Sequence, residues 1–187
     1  MPTHTKHLEF NCFYFCTLTC LDWLPLFEKT NLYSNIEDWF RMINQFDLYV
    51  NSYVIMPNHL HFVVYRKTDK HDFNKVIANG KRFWAYEIVK RLKANEELAL
   101  LQKLKDGVEP NEITKGKKHK VFRLSFDAKE CFDIKMLEQK IDYIHHNPVS
   151  GKWNLVHDFT EYKYSSAGYY ENEMAKPNFL FDYRDFV

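Results

Sequence analysis

The sequence predicts an α+β fold, an antiparallel sheet with helices packed on it. Two observations carry this expectation. Runs rich in Phe, Tyr, Val and Thr take turns with longer stretches whose apolar residues recur at helical spacing. Two of the β-rich runs are also direct neighbours, split only by Pro57-Asn58, as strands joined by a short turn would be.

Taken in order, Phe10 to Thr19 reads as a strand and Leu24-Pro25-Leu26-Phe27 breaks it. From about Asn31 to Phe46, Leu32, Ile36, Trp39, Phe40 and Ile43 fall at helical spacing. Leu48 to Met56 and His59 to Tyr65 are the paired strands. Asp72 to about Lys93 predicts a second helix, with Gly80 as a weak point inside it. Leu98 to Leu104 could extend a helix, whereas Asp106 to Lys120 reads as an exposed loop. Val121 to Phe126 is expected to be the fourth strand. Ile134 to Asn147 forms a third helix that Pro148 stops, and Val149 to Val187 is an irregular tail. The first six elements make a ferredoxin-like βαββαβ sandwich with helices on one side of the sheet. The helix bearing Tyr143 follows it.

At 187 residues the chain suits one domain over 1–187, with its core at about 10–170. Apolar residues at 45% and charged residues at 27% exclude a disordered chain. The net charge of +1 excludes a broadly basic protein, so any nucleic-acid surface must be local. Aromatics at 17% leave rings available for stacking on bases once a core is filled. No apolar run reaches about 18 residues, and Met1 to Glu9 lacks the apolar centre of a secretory signal. Cys12, Cys16, Cys20 and Cys131 form no CxxC pair and are expected to be buried, reduced thiols in preference to disulfides or a zinc site. A cytoplasmic location is expected.

Two segments carry chemistry. In Met56-Pro57-Asn58-His59-Leu60-His61-Phe62, strand alternation puts His59 and His61 on one face, with Cα atoms about 7 Å apart. Two imidazoles so placed can share a divalent ion, and they are equally compatible with a half-buried pair of sheet histidines. In the second segment, Gln139 to Pro148, Ile134, Leu137, Ile141 and Ile144 form one apolar stripe. Tyr143 lies roughly 140° from the centre of that stripe and about 40° from Asn147. A phenol and an amide therefore point the same way, one turn apart. Alone, that pattern also describes a surface tyrosine on a helix ended by Asn-Pro.

Together, Tyr53-Val-Ile-Met-Pro-Asn-His-Leu-His61 and Tyr143-Ile-His-His-Asn-Pro-Val149 resemble the HUH endonuclease superfamily. More closely, they resemble the REP-associated branch of the IS200-like single-tyrosine transposases, and Tyr164-Ser-Ser-Ala167 is similar to that branch's Trp-Ser-Ser block. The likeness spans about Phe10 to Tyr170. It implies a DNA-binding enzyme of transposition, or a domesticated derivative, that acts on single-stranded or hairpin DNA. It implies Tyr143 as the nucleophile that forms a 5′-phosphotyrosine bond, and His59, His61 and Asn147 as ligands of Mg²⁺ or Mn²⁺. A homodimer is compatible with it. Two departures concern the DNA recognised: Tyr164 stands where the branch has Trp, and Ser150-Gly-Lys-Trp153 follows Asn-Pro-Val.

Lys115, Lys117, Lys118 and Lys120 make up the one concentrated basic run and are candidate phosphate contacts, with a solvated loop as the alternative. Lys81-Arg82 is a weaker candidate. His145 and His146 are expected to pack or to support the ligands. Ser165 and Ser166 lack a nucleophile-elbow motif, so a turn or capping role is expected. Two other functions remain open: a DNA-hairpin-binding protein without cleavage, and a metal-dependent phosphodiesterase that activates water.

Overall fold

A computed structural model describes residues 9–123 and 126–187. Met1 to Leu8, on which the signal-segment expectation mostly rests, lie outside the described residues.

The sheet has four strands: β1 (Cys12–Thr19), β2 (Leu48–Ile55), β3 (His59–Arg66) and β4 (Asp127–Cys131). Its order is β2-β3-β1-β4 and every pairing is antiparallel, the arrangement a βαββαβ sandwich requires. Alternation along β1 divides its side chains between two cores. Tyr14, Cys16 and Leu18 join the larger core, which α2 (Tyr33–Ile43) and α3 (Phe73–Ala94) cover; the single turn α1 (Leu26–Lys29) also packs there. Phe13 and Phe15 face the opposite way, into a smaller core under α6 (Ile134–His146).

The two longest helices each start on an aspartate cap. Asp72 caps α3 by accepting from Lys75 N at 3.1 Å, and Asp133 caps α6 by accepting from Met136 N at 2.7 Å. Gly80 does not break α3, because it sits where Trp39 of α2 crosses; a Cβ there would lie 2.6 Å from the indole nitrogen. The helix tolerates glycine in exchange for that close approach. Leu137, Ile141 and Ile144 are buried as the stripe predicts, but Ile134, in the first turn of α6, is 44% exposed. The helix overhangs the sheet at that end.

The fourth strand is the main correction. Val121 and Phe122 are buried and run beside the end of β1, with Leu21 N donating to Val121 O and Arg123 N to Thr19 O. The described part of this stretch makes only a single bridge, Phe122 to Cys20, while Leu124 and Ser125 lie outside the described residues. The strand itself is Asp127–Cys131, whose sequence Asp-Ala-Lys-Glu-Cys shows no apolar alternation. An edge strand exposed on one side does not need it, and charges there discourage pairing with other chains. The segment 98–120 carries α4 (Leu98–Asp106) and the single turn α5 (Pro110–Ile113), so it is not wholly a loop. The tail holds one short helix, α7 (Ala167–Asn172).

All four cysteines are free thiols, three of them buried. No helix among the described residues is long and apolar enough to cross a membrane.

Candidate active site

The site lies between β3 and α6. Strand alternation turns His59 and His61 to the α6 face, while Leu60 and Phe62 enter the larger core. The two imidazoles meet with ring centroids 4.8 Å apart and both are buried. The C-terminal end of α6 lies over them. Tyr143, half exposed, puts its ring 5.3 Å from His61 and 5.9 Å from Phe15. Asn147 ends the helix, buried, with Oδ1 3.1 Å from Nε2 of His59. The chain thus brings together His59, His61, Tyr143 and Asn147, four residues predicted from sequence and spread over 88 positions.

Several supporting residues were not predicted. Thr17, directly opposite His61 in the β1–β3 register, has Oγ1 2.9 Å from its Nδ1. Phe15 stacks on His61 at 5.4 Å, and Lys140 lies 5.1 Å over the Phe15 ring. Asn58 donates Nδ2–H to Trp23 O at 2.8 Å, which leaves its Oδ1 2.6 Å from Nδ1 of His59. The Trp23 ring meets His59 edge-on at 5.6 Å. Asp22 and Trp23 both adopt the left-handed backbone region, with φ of 48° and 58°. A bulky residue there carries strain, and the turn it makes sets the indole against the histidine. Asn58 could have been suspected from its place in the turn; Thr17 and Trp23 depend on register and turn geometry that the sequence does not display.

Burial holds both imidazoles neutral. It lowers the pKa of His59 to about 4, opposed by the hydrogen bond with Asn147. It lowers that of His61 to about 3, helped by the neighbouring His59 and Lys140. Among the described residues no three His, Cys, Asp or Glu side chains gather, so any cation here would rest on these two rings and the Asn147 amide.

That donor set fits a divalent ion. Oδ1 of Asn58 can only accept, so Nδ1 of His59 carries the proton and Nε2 presents a lone pair. It faces Oδ1 of Asn147, a second acceptor. A shared cation satisfies this pair, as does an Asn147 amide turned to donate.

His145 is the most buried histidine, at 1% exposure. Its Nε2 lies 2.9 Å from Ser166 Oγ and 3.3 Å from Ser52 Oγ, and Ser166 Oγ also accepts from Tyr53 N at 3.0 Å. Ser52 can reach it because a bulge between Val50 and Ser52 reverses the alternation of β2. Tyr164 stacks on Tyr33 at 3.7 Å. The Tyr164-Ser-Ser-Ala167 block therefore pins the tail and α6 to the sheet.

Of the basic run, Lys115, Lys117 and Lys118 are exposed, with Lys117 paired to Glu112 at 2.7 Å. Lys120 is buried, its ammonium 3.3 Å from Glu109 and 3.9 Å from Glu112, where it fastens α5 instead of facing solvent.

No protein-family model matches the sequence, and no curated protein matches it. Among solved structures, a REP-associated tyrosine transposase bound to a REP hairpin is similar over 97% of this chain and 93% of that one. The TM-score is 0.58 and the identity 15%. Element order, sheet order and the placement of helices on this chain, set beside that match, show that it has the fold of a REP-associated tyrosine transposase.

Proposed function

We propose that this protein nicks and rejoins single-stranded DNA through a covalent bond to Tyr143, in transposition or a role derived from it. One observation carries the reading: a half-exposed phenol stands beside two buried, neutral imidazoles, one of them in contact with an amide oxygen. The hairpin bound by the similar solved transposase supports a hairpin-bearing strand as the substrate.

The residues divide the work as follows. His59, His61 and Asn147 would hold Mg²⁺ or Mn²⁺ as an uncharged set, leaving the ion's full charge for the substrate phosphate. When bound, the ion would polarise the scissile phosphate and reduce the cost of charge developing on it. Asn58 and Thr17 orient the two imidazoles, and Phe15 and Trp23 exclude water from their flanks. Tyr143 Oη loses its proton and bonds to phosphorus, while the bond from phosphorus to the 3′ oxygen breaks. The 3′ oxygen leaves as a hydroxyl, taking up a proton, and the 5′ side stays on Tyr143. A later attack by a 3′-hydroxyl restores a phosphodiester and frees the phenol, with no net change in bond type.

The test uses a labelled single strand that carries a hairpin from the DNA flanking the coding region, incubated with Mn²⁺. A protease-sensitive adduct should appear on a denaturing gel with the native chain and be absent with Tyr143→Phe. An adduct that persists in the variant sinks the assignment. Binding without any adduct would instead favour a DNA-hairpin-binding protein that does not cut.

A further inference from the structure

A groove runs between α3 and the segment 115–123 on the far side of the sheet from α6. Its walls present Lys81, Arg82 and Arg123 at one end and Lys93, Lys115 and Lys118 at the other. No carboxylate lines it among the described residues, although the chain as a whole has 26 basic and 25 acidic side chains. His119, which also lines the groove, is held below the usual histidine range by burial first and then by Lys93, Lys105 and Lys118. Tyr86 stands among these charges with 67% of its surface exposed.

The groove also has a direction. Arg123 lies 5.4 Å over the Trp23 ring, and Trp23 meets His59 edge-on at 5.6 Å. One end is therefore linked, through Arg123 and then Trp23, to His59. From Lys81 to Lys93 the helix rises about 18 Å, room for about five phosphates of a stacked strand.

We infer that this groove is a second DNA site, a track that binds the backbone of an unpaired strand, stacks one base on Tyr86 and delivers the strand past Trp23 to His59. The inference rests on the proposed function for the identity of the nucleic acid, and adds where the strand beyond the cleavage point is held. An acidic peptide would satisfy the cations but has no use for an exposed phenol ring among them. A base has such a use, because every base offers a π face.

Fluorescence anisotropy with a labelled oligothymidylate tests it without any need for cleavage. Arg82→Ala/Lys115→Ala/Lys118→Ala should bind at least tenfold more weakly at about 50 mM salt, and its log–log salt slope should be shallower by roughly two. Tyr86→Ala should lose about tenfold with the slope unchanged. All four residues are exposed, and unchanged melting temperatures will establish that the variants fold. Native affinity and slope in the triple variant overturn the inference, as does equally tight binding of a blunt duplex or equal competition by oligoglutamate. The two readings fail separately: groove variants that bind normally while the native chain forms an adduct defeat only the track. Weakened groove variants with no adduct from the native chain defeat only the nicking.

Discussion

Nε2 of His59 and Oδ1 of Asn147 face each other at 3.1 Å, and with Nδ1–H committed to Asn58 both atoms are acceptors. The pairing joins the first residue of β3 to the residue that ends α6. An acceptor pair buried in this way is costly unless something electropositive lies with it. A cation satisfies such a pair, as does an Asn147 amide turned to donate, and in either case the contact holds the tyrosine helix over the sheet.

Asn58 decides which nitrogen of His59 is bare, so its loss should weaken the metal binding proposed for that nitrogen. Asn58→Ala removes the acceptor for Nδ1–H and frees the ring to take the other tautomer. Calorimetric titration with Mn²⁺ should show affinity reduced by about 10- to 100-fold, with His59→Ala losing more. Native affinity in Asn58→Ala would mean the tautomer is set elsewhere.

The buried histidines also make stability depend on pH. His59 and His145 have pKa values lowered to about 4 and His61 to about 3, all by burial first, against 6.5 for an unburied imidazole. Above about pH 7 neither the folded nor the unfolded chain protonates them. As the pH falls through 6.5 the unfolded chain takes up protons that the folded chain refuses, so stability is lost down to about pH 4. Urea midpoints without added metal should fall steadily over that window. His61→Asn, which cannot titrate, should flatten the slope, and an unchanged slope would show that His61 takes up its proton alike in the folded and unfolded chains.

The sequence displays the site more fully than the fold around it. His59, His61, Tyr143 and Asn147 lie on two short periodic segments, where face is fixed by position along a strand or helix, and the family resemblance is what joins the two segments into one candidate site. Their supports do not follow so simply. Thr17 is recognisable only once β1 is registered on β3, and Ser52 faces His145 only because of a bulge. The edge strand Asp127–Cys131 has no apolar pattern, so the apolar Val121 and Phe122 draw the eye instead. Lys120 looks like its basic neighbours and differs in burial alone.

Gly80 tests how tightly α2 and α3 are packed. An alanine is worth about 1 kcal/mol more than glycine in an open helix, but here its Cβ would lie 2.6 Å from Trp39 Nε1. The indole is held between Phe40, Phe62 and Trp84, so it has little room to move. Overpacking of this kind costs about 1–3 kcal/mol, and the melting temperature of Gly80→Ala should fall. A rise would show that the interface yields.

His145 ties the stability of the fold to the placement of Tyr143 and Asn147 through α6. Its imidazole satisfies Ser166 and Ser52 in a place that solvent does not reach, and α6 is tied through it to β2 and to the tail. His145→Ala leaves two buried hydroxyls short of a partner and opens a cavity, and these together should cost about 2–4 kcal/mol. Tyr143 and Asn147 each lie two residues away on the same turn of chain, so looser anchoring shifts the phenol and the amide together. Denaturant melts should show the lost stability. At a temperature where the variant is still folded, both Mn²⁺ affinity and the rate of adduct formation should be lower. His145→Gln, which can still donate to and accept from the two serines, should recover part of each. Full adduct formation by a folded but destabilised His145→Ala would mean that α6 is positioned by Leu137, Ile141 and Ile144 alone, and that the buried histidine serves stability and nothing more.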